Sequence, residues 1–440
     1  MRGCYELDAG HWRLAMRAAL TLIVLTLLSA LPLRAVTPPP IERVEIRGKS
    51  LWVNGEPFFL VGIGHAAHWN FALPEVGAKG FNAVVTHGRL DDPESYRLDI
   101  DDAFANGMYS LASLTNGKWR DLEKVEQIIL ACRDAPGLLA WELEDEPNMR
   151  LPEPADLPHM ERPYTIPPEQ FKPVYDLIKR LDPGHPVWLN LAYGSVKDHQ
   201  DYRDVADIHS DDVYPLPDYP LTHVAVNSDS VVQGAAGKPG WMYVQISPQS
   251  PTPLDGKDRA PTMEEVRCMT YMAVTHGISG IIHFSFHSGG WSVNERAPAY
   301  WAQFADLTAE LRTLTPYLTA AESPDKLQAE IIEGSAAPFN FGYTALHLSL
   351  RKTANSYFLI AVNGFDTPVK GRFTFPVPEG GLAPRAAVRF ENRLVEVTDG
   401  VMEDAFAPYA VHLYELPFPV VNGTKRMPLD WPQWQRRVRP

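Results

Sequence analysis

Three glutamates alternate in LLAWELEDEPN, Leu138 to Asn148: Glu142, Glu144 and Glu146, with Asp145 between the last two. A strand sends alternate side chains to one face, so the glutamates share a face and ideal alternation turns Asp145 from it. Carboxyl groups gathered in one site can divide their work. One keeps a proton and acts as general acid, and another, ionised, activates water or attacks carbon. Glu146, directly before Pro147, ends the strand and is the candidate catalytic acid. Glu142, deepest in the strand, reads as a buried structural carboxylate paired with an arginine. A second acidic pair stands in HSDDVYP, where Asp211 and Asp212 are both candidates for the catalytic partner. His65 and His68 are spaced i, i+3, but HAAH and HFSF lack the ligand pattern of a metal-dependent barrel, and no metal or other cofactor is expected.

A repeating rhythm along the chain supplies the elements that must hold these groups. The strand candidates are FFLVGIGHAA, FNAVVTHG, MYSLASLTN, LLAWELEDEP, PVWLNLAYG, DIHSDDVYP, GWMYVQIS and ISGIIHFSF, and a helical stretch or link follows each. Eight such units predict an α/β fold, a (β/α)8 TIM barrel over residues 58–322. Gly80, Gly107 and Gly277 suit helix C-caps, Thr262 with Glu264 and Glu265 suits a helix start, and a short polar link is expected near Asp201. An open doubly wound sheet would carry a glycine-rich phosphate turn, and GIGHAAHWN lacks its third glycine. Residues 37–57 read as a linker and a hairpin turning at Asn54-Gly55. After about Pro324 the period changes to two in TALHLSLRK, SYFLIAVNG, KGRFTFPV, AAVRFENRLVEV and YAVHLYEL. This predicts a C-terminal antiparallel β-sandwich over 323–418, with a tail at 419–440.

Barrel enzymes build their sites at the C-terminal ends of the strands. Here those ends offer His65, His87, Arg89, Asn116, Glu144, Asp145, Asn190, Tyr214, Gln245, His283 and Trp291 as substrate-binding candidates. Amides and carboxylates bind hydroxyl groups, and aromatic faces stack on sugar rings. The expected partner is a carbohydrate.

Several segments resemble known glycoside hydrolases. AWELEDEPN is similar to the strand-four motif of clan A, SLWVNGEPFFLVGIG to the hairpin and first strand of families 2, 5 and 42, and RAPTMEEVRCMTYMAVTHGISGIIHFSF to the last helix–strand unit of the family 42 β-galactosidase group. FAPYAVHLYEL resembles the last strand of their accessory sandwich. The resemblance implies Glu146 as acid/base and Asp145 in place of a sugar-binding asparagine. It also implies a nucleophilic glutamate at the end of strand seven, where this chain has Gln245. Three readings follow: an inverting hydrolase with Asp211 or Asp212 as base, a substrate-assisted hydrolase using Asp145 and Glu146, or a carbohydrate-binding barrel without catalysis.

The formal net charge of −14 over 440 residues excludes nucleic acid as a natural partner. Arg13 and Arg17 precede an apolar run from Ala18 to Leu31, short for a membrane span and suited to a signal-peptide core. The expectation is a signal peptide over 1–36, a secreted or periplasmic protein and no span in the mature chain, with an uncleaved anchor as the alternative. Of the three cysteines, Cys4 would leave with the signal, and Cys132 and Cys268 are expected as buried free thiols.

Overall fold

The computed structural model describes residues 35–66, 72–154, 157–249, 259–288, 290–338, 341–378 and 380–419. Residues 1–34 of the expected signal peptide, with Cys4, and His68 and the tail beyond 419 lie outside the described residues. The first three strands, β1 (Val44–Arg47), β2 (Ser50–Val53) and β3 (Glu56–Phe58), form a small antiparallel sheet. Asn54 and Gly55 turn β2 into β3 with φ of 53° and 83°, the left-handed pair that a two-residue hairpin requires. Leu51 and Val53 join the apolar cluster that fills the barrel and so plug its N-terminal end.

Eight strands then close into a parallel barrel. They are β4 (Leu60–Ile63), β5 (Ala83–Thr86), β6 (Tyr109–Ser113), β7 (Leu138–Asp145), β8 (Val187–Ala192), β9 (Ile208–Val213), β10 (Gly240–Gln245) and β11 (Gly280–Phe284), and β11 pairs with β4. Their faces pack on both sides, which explains the near-continuous apolar runs. Leu60, Ala83, Leu111, Ala140, Trp188, Ile208, Trp241 and Ile282 fill the interior.

The α-helices among the described residues are α1 (Leu73–Ala78), α2 (Pro93–Ala105), α3 (Leu122–Cys132), α4 (Lys172–Leu181), α5 (Val196–Asp201), α6 (His223–Gly234), α7 (Met263–Thr275), α8 (Val293–Arg296), α9 (Pro298–Ala302), α10 (Phe304–Thr313) and α11 (Thr315–Leu318). The link expected near Asp201 is the helix α5. Ser195 and Asp198 cap it reciprocally, which lets a polar six-residue stretch form a helix. Thr262 and Glu265 make the same capping box at α7, and Arg259 pairs with Glu265. Cys132 and Cys268 are buried free thiols. No helix among the described residues is long and apolar enough to cross a membrane.

The C-terminal strands are β14 (Gln328–Glu333), β15 (Leu346–Lys352), β16 (Ser356–Asn363), β17 (Val369–Thr374), β18 (Arg385–Val388), β19 (Arg393–Thr398), β20 (Val401–Phe406) and β21 (Val411–Pro417), following the small hairpin β12 (His287–Ser288) and β13 (Trp291–Ser292). All eight hydrogen-bond in one antiparallel order rather than as two separate sheets. The two halves still enclose a core, in which Phe373, Met402 and Phe406 meet Leu359, Tyr414 and Leu416. The other face of β16 and β21 packs on the barrel. Phe358, Ile360 and Leu413 share a cluster with α7 residues, and Tyr317 stacks on Phe358 at 4.2 Å.

Candidate active site

Four non-glycine residues turn left-handed just past barrel strands: His65 (φ 52°), Asn116 (63°), Glu146 (53°) and Tyr193 (45°). Each such residue costs on the order of 1 kcal/mol and redirects its chain at the barrel mouth. At β7 the turn has a second cause. The pairing of β7 with β8 slips between Glu142 and Asp145. Strict alternation therefore fails, and Asp145 and Glu146, adjacent in sequence, both line the same cavity.

That cavity is about 460 Å³ and opens at the C-terminal end of the barrel. His65 follows β4, and His87 follows β5. Thr115 and Asn116 follow β6, and β7 brings Glu142, Glu144, Asp145 and Glu146. Asp212 and Tyr214 come from the end of β9, Tyr243 from β10 and Phe284 from β11. A larger cleft of about 660 Å³ lies at the opposite end, against Pro38, Phe58, Phe81 and Tyr109, and carries no pair of carboxylates. Among the described residues no three acidic, histidine or cysteine groups are set to hold a metal ion.

The carboxylates differ sharply in what surrounds them. Glu144 accepts from the Asn116 and Gly117 amides at 2.9 Å each, from Trp119 Nε1 at 2.8 Å and from the Asp145 amide at 3.0 Å. It is the anchor of the loop after β6. Glu142 is buried in the cavity floor. Its partners are the Ser113 hydroxyl and the charge of Lys118, not the expected arginine. Burial, with Asp145 and Glu144 nearby, raises its carboxyl well above the usual range. Asp145 opens to the mouth but has protein on its remaining sides. Burial on those sides raises it to about 6, helped by Glu146 and Glu144 and opposed by Asn190.

Asn190 is itself fixed from below. Trp188 Nε1 donates to Ser210 Oγ at 2.6 Å, and Ser210 donates to Asn190 Oδ1 at 2.7 Å. Asn190 Nδ2 in turn donates to Asp145 Oδ1 at 2.9 Å. The same parity that turns Ser210 inward turns Asp212 inward. Asp212 is buried, and the Tyr214 hydroxyl donates to its Oδ2 at 3.1 Å. Desolvation raises it well above its ordinary value, followed by the charges of Glu146 and Asp145 and a carboxyl–carboxyl contact with Glu146. Among the described residues no hydrogen bond of ordinary geometry reaches Asp212 Oδ1.

Several expected site residues do not reach the cavity. Asp211 faces outward on β9, accepting from the Gly194 amide at 2.7 Å and contacting His199 Nε2 at 3.1 Å, which removes it as a catalytic candidate. Gln245 is spent on the loop after β9. Leu216 N donates to its Oε1 at 3.0 Å, and its Nε2 donates to the Leu216 carbonyl at 3.0 Å and the Ser247 carbonyl at 3.1 Å. Arg89 pairs with Asp92 and points to solvent. His283 faces outward between Phe81 and Phe304, and burial lowers it to about 4. Trp291 lies in the β12–β13 hairpin against the barrel's outer core. Asn190 supports the site from beneath rather than lining it. His65, His87, Asn116, Glu144, Asp145, Glu146, Asp212 and Tyr214 are brought together.

Thr115, Tyr243 and Phe284 join them without having been anticipated. The signal for the last two was strand parity: Trp241, Tyr243 and Gln245 alternate inward, as do Gly280, Ile282 and Phe284. Phe284 stacks on Tyr214 at 5.1 Å and meets Tyr243 edge-on at 5.8 Å, forming an aromatic wall.

Residues 168–305, under a third of the chain, match the family model described as beta-galactosidase of glycoside hydrolase family 42. The matched segment holds Asp212 and Gln245, and Glu146 precedes it. A catalytic mutant of a GH42 beta-galactosidase from G. stearothermophilus shares the fold at a TM-score of 0.53 and 9% identity, over 82% of this chain and 98% of that one. An Anoxybacillus alpha-amylase reaches 0.49 at 11% identity, over 80% and 90%. No curated protein matches the sequence. The partial family match and the barrel together support a glycosidase with the (β/α)8 fold of clan A.

Proposed function

We propose that this chain hydrolyses glycosidic bonds of a poly- or oligosaccharide, with Glu146 giving the leaving oxygen its proton and Asp212 as the partner carboxylate. The observation that carries the reading is the convergence of Glu146 and Asp212 on one cavity while Gln245, at the expected nucleophile position, is bonded to Leu216. Two carboxyl groups in one cavity can divide the work, one protonating the leaving oxygen and the other taking the proton of water. Glu146 is the more open member and faces the substrate space. Asp212, buried against Glu146, is the partner that would take a proton from attacking water. This is the inverting assignment. It needs about 6.5–9.5 Å between the carboxyl groups with room for a water, and the contact between Asp212 and Glu146 is tighter, which counts against inversion and makes the product anomer decisive. The apolar run ahead of residue 36 extends the proposal to a secreted or periplasmic setting.

One observation favours a second reading. Asp145 lines the cavity beside Glu146, as substrate-assisted hydrolysis of a 2-acetamido sugar requires. NMR of the first-formed product anomer separates the two. An inverted anomer supports Asp212 as base. A retained anomer overturns that role, and retention restricted to 2-acetamido glycosides favours Asp145.

A further inference from the structure

An exposed group of rings adjoins the cavity and has no part in the acid–base chemistry. Tyr193 follows β8, and its hydroxyl lies 3.5 Å from the backbone carbonyl of Tyr214, a cavity-wall residue. The ring of His223, at the start of α6, is 5.6 Å from Tyr193 and 4.9 Å from Tyr219. Phe341 reaches across from the C-terminal domain and stacks on His223 at 5.3 Å and 10°. Tyr193, Tyr219 and Phe341 are 42%, 48% and 61% exposed. They are the three most exposed Phe, Tyr or Trp side chains among the described residues, ahead of Phe390 at 37%. Grouped aromatic exposure forgoes burial and marks a contact surface.

The chemistry of the patch restricts its ligand. Its members are aromatic rings, and burial lowers the His223 imidazole, which disfavours a positive charge there. A separate cleft of about 510 Å³, lined by Pro220, Leu221, Pro338, Phe365, Asp366 and Tyr409, starts one residue along the chain from Tyr219. The reaction cavity is closed below by Glu142, so a chain longer than the cavity can leave only over its rim, and Tyr193 stands at that rim. We propose that Tyr193, Tyr219 and Phe341 form an outer subsite that stacks the sugar rings of an uncharged glycan as it leaves the cavity. This rests on the glycosidase reading and adds that the substrate is a chain rather than a single glycoside.

The test uses Tyr193→Asn and Phe341→Asn, because both positions are left-handed (φ 45° and 58°) and asparagine tolerates that conformation. The probes are hexaoses of β-1,4-linked glucan, mannan, xylan and galactan, titrated calorimetrically, and p-nitrophenyl monoglycosides, followed by turnover. The double variant should bind its best hexaose roughly tenfold more weakly and turn over monoglycosides within about twofold of wild type. Unchanged hexaose affinity, or no hexaose binding by the wild-type protein, overturns the subsite. Weakened hexaose binding in a protein that hydrolyses nothing upholds the subsite and removes the hydrolytic reading.

Discussion

Gln245 and Leu216 hold each other by a reciprocal pair of hydrogen bonds at 3.0 Å each, the Leu216 N–H donating to Gln245 Oε1 and Gln245 Nε2 donating to the Leu216 carbonyl. Only a side chain with both a donor and an acceptor can do this. A glutamate would set a carboxylate oxygen against the Leu216 carbonyl. Gln245→Glu should therefore lower stability by about 1–3 kcal/mol and should not raise activity. Urea unfolding and turnover of the two proteins check this, and a gain in hydrolysis by Gln245→Glu would show that the position still addresses the sugar.

Glu144 satisfies four donors, three of them from the loop after β6. Glu144→Ala leaves the buried Trp119 indole and the loop amides without acceptors. A loss on the order of 3 kcal/mol is expected, read as a lower denaturation midpoint, together with weaker substrate binding because Asn116 lines the cavity. Unchanged stability would contradict the anchoring role.

Asp212 gives a prediction with a definite sign. Its folded pKa lies above the unfolded value of 3.8. The folded state then holds more protons as pH rises from about 4, and stability falls over that window until the folded group ionises. Asp212→Asn removes the penalty. It should be inactive yet more stable than wild type at neutral pH, by on the order of 1–3 kcal/mol, with the gain shrinking as pH falls toward 4. Equal stability at all pH values would mean that Asp212 is not strained by its burial.

Asn190 acts on Asp145 from beneath the cavity, and its donation opposes the rise of Asp145 to about 6. Asn190→Ala should push Asp145 higher still. If ionised Asp145 takes part in binding, the acidic limb of kcat/KM against pH moves upward. A limb that stays in place would assign Asn190 to packing alone.

The barrel was legible because each strand is an apolar run ending in polar residues, and the period-two segments after Pro324 marked the second domain. Which side chains meet was harder to read. Asp211 and Asp212 are equivalent by composition, and only the inward bonds of Ser210 fix the parity that points Asp212 to the cavity. Asp145 escaped the alternation rule because the β7–β8 register slips at its position, a two-strand property that neither strand encodes alone. His283 sat in an apolar run at a strand end and still turned outward, since parity outweighs residue type there.

The central claim is that Glu146 supplies the proton. The most direct measurement compares Glu146→Gln with wild type on substrates of one sugar carrying poor and good leaving groups. The account predicts a loss of roughly 10²–10⁴-fold on the poor leaving group, a much smaller loss on a dinitrophenyl leaving group that needs no proton, and an unchanged fold by circular dichroism. Full activity of Glu146→Gln on the poor leaving group would contradict it.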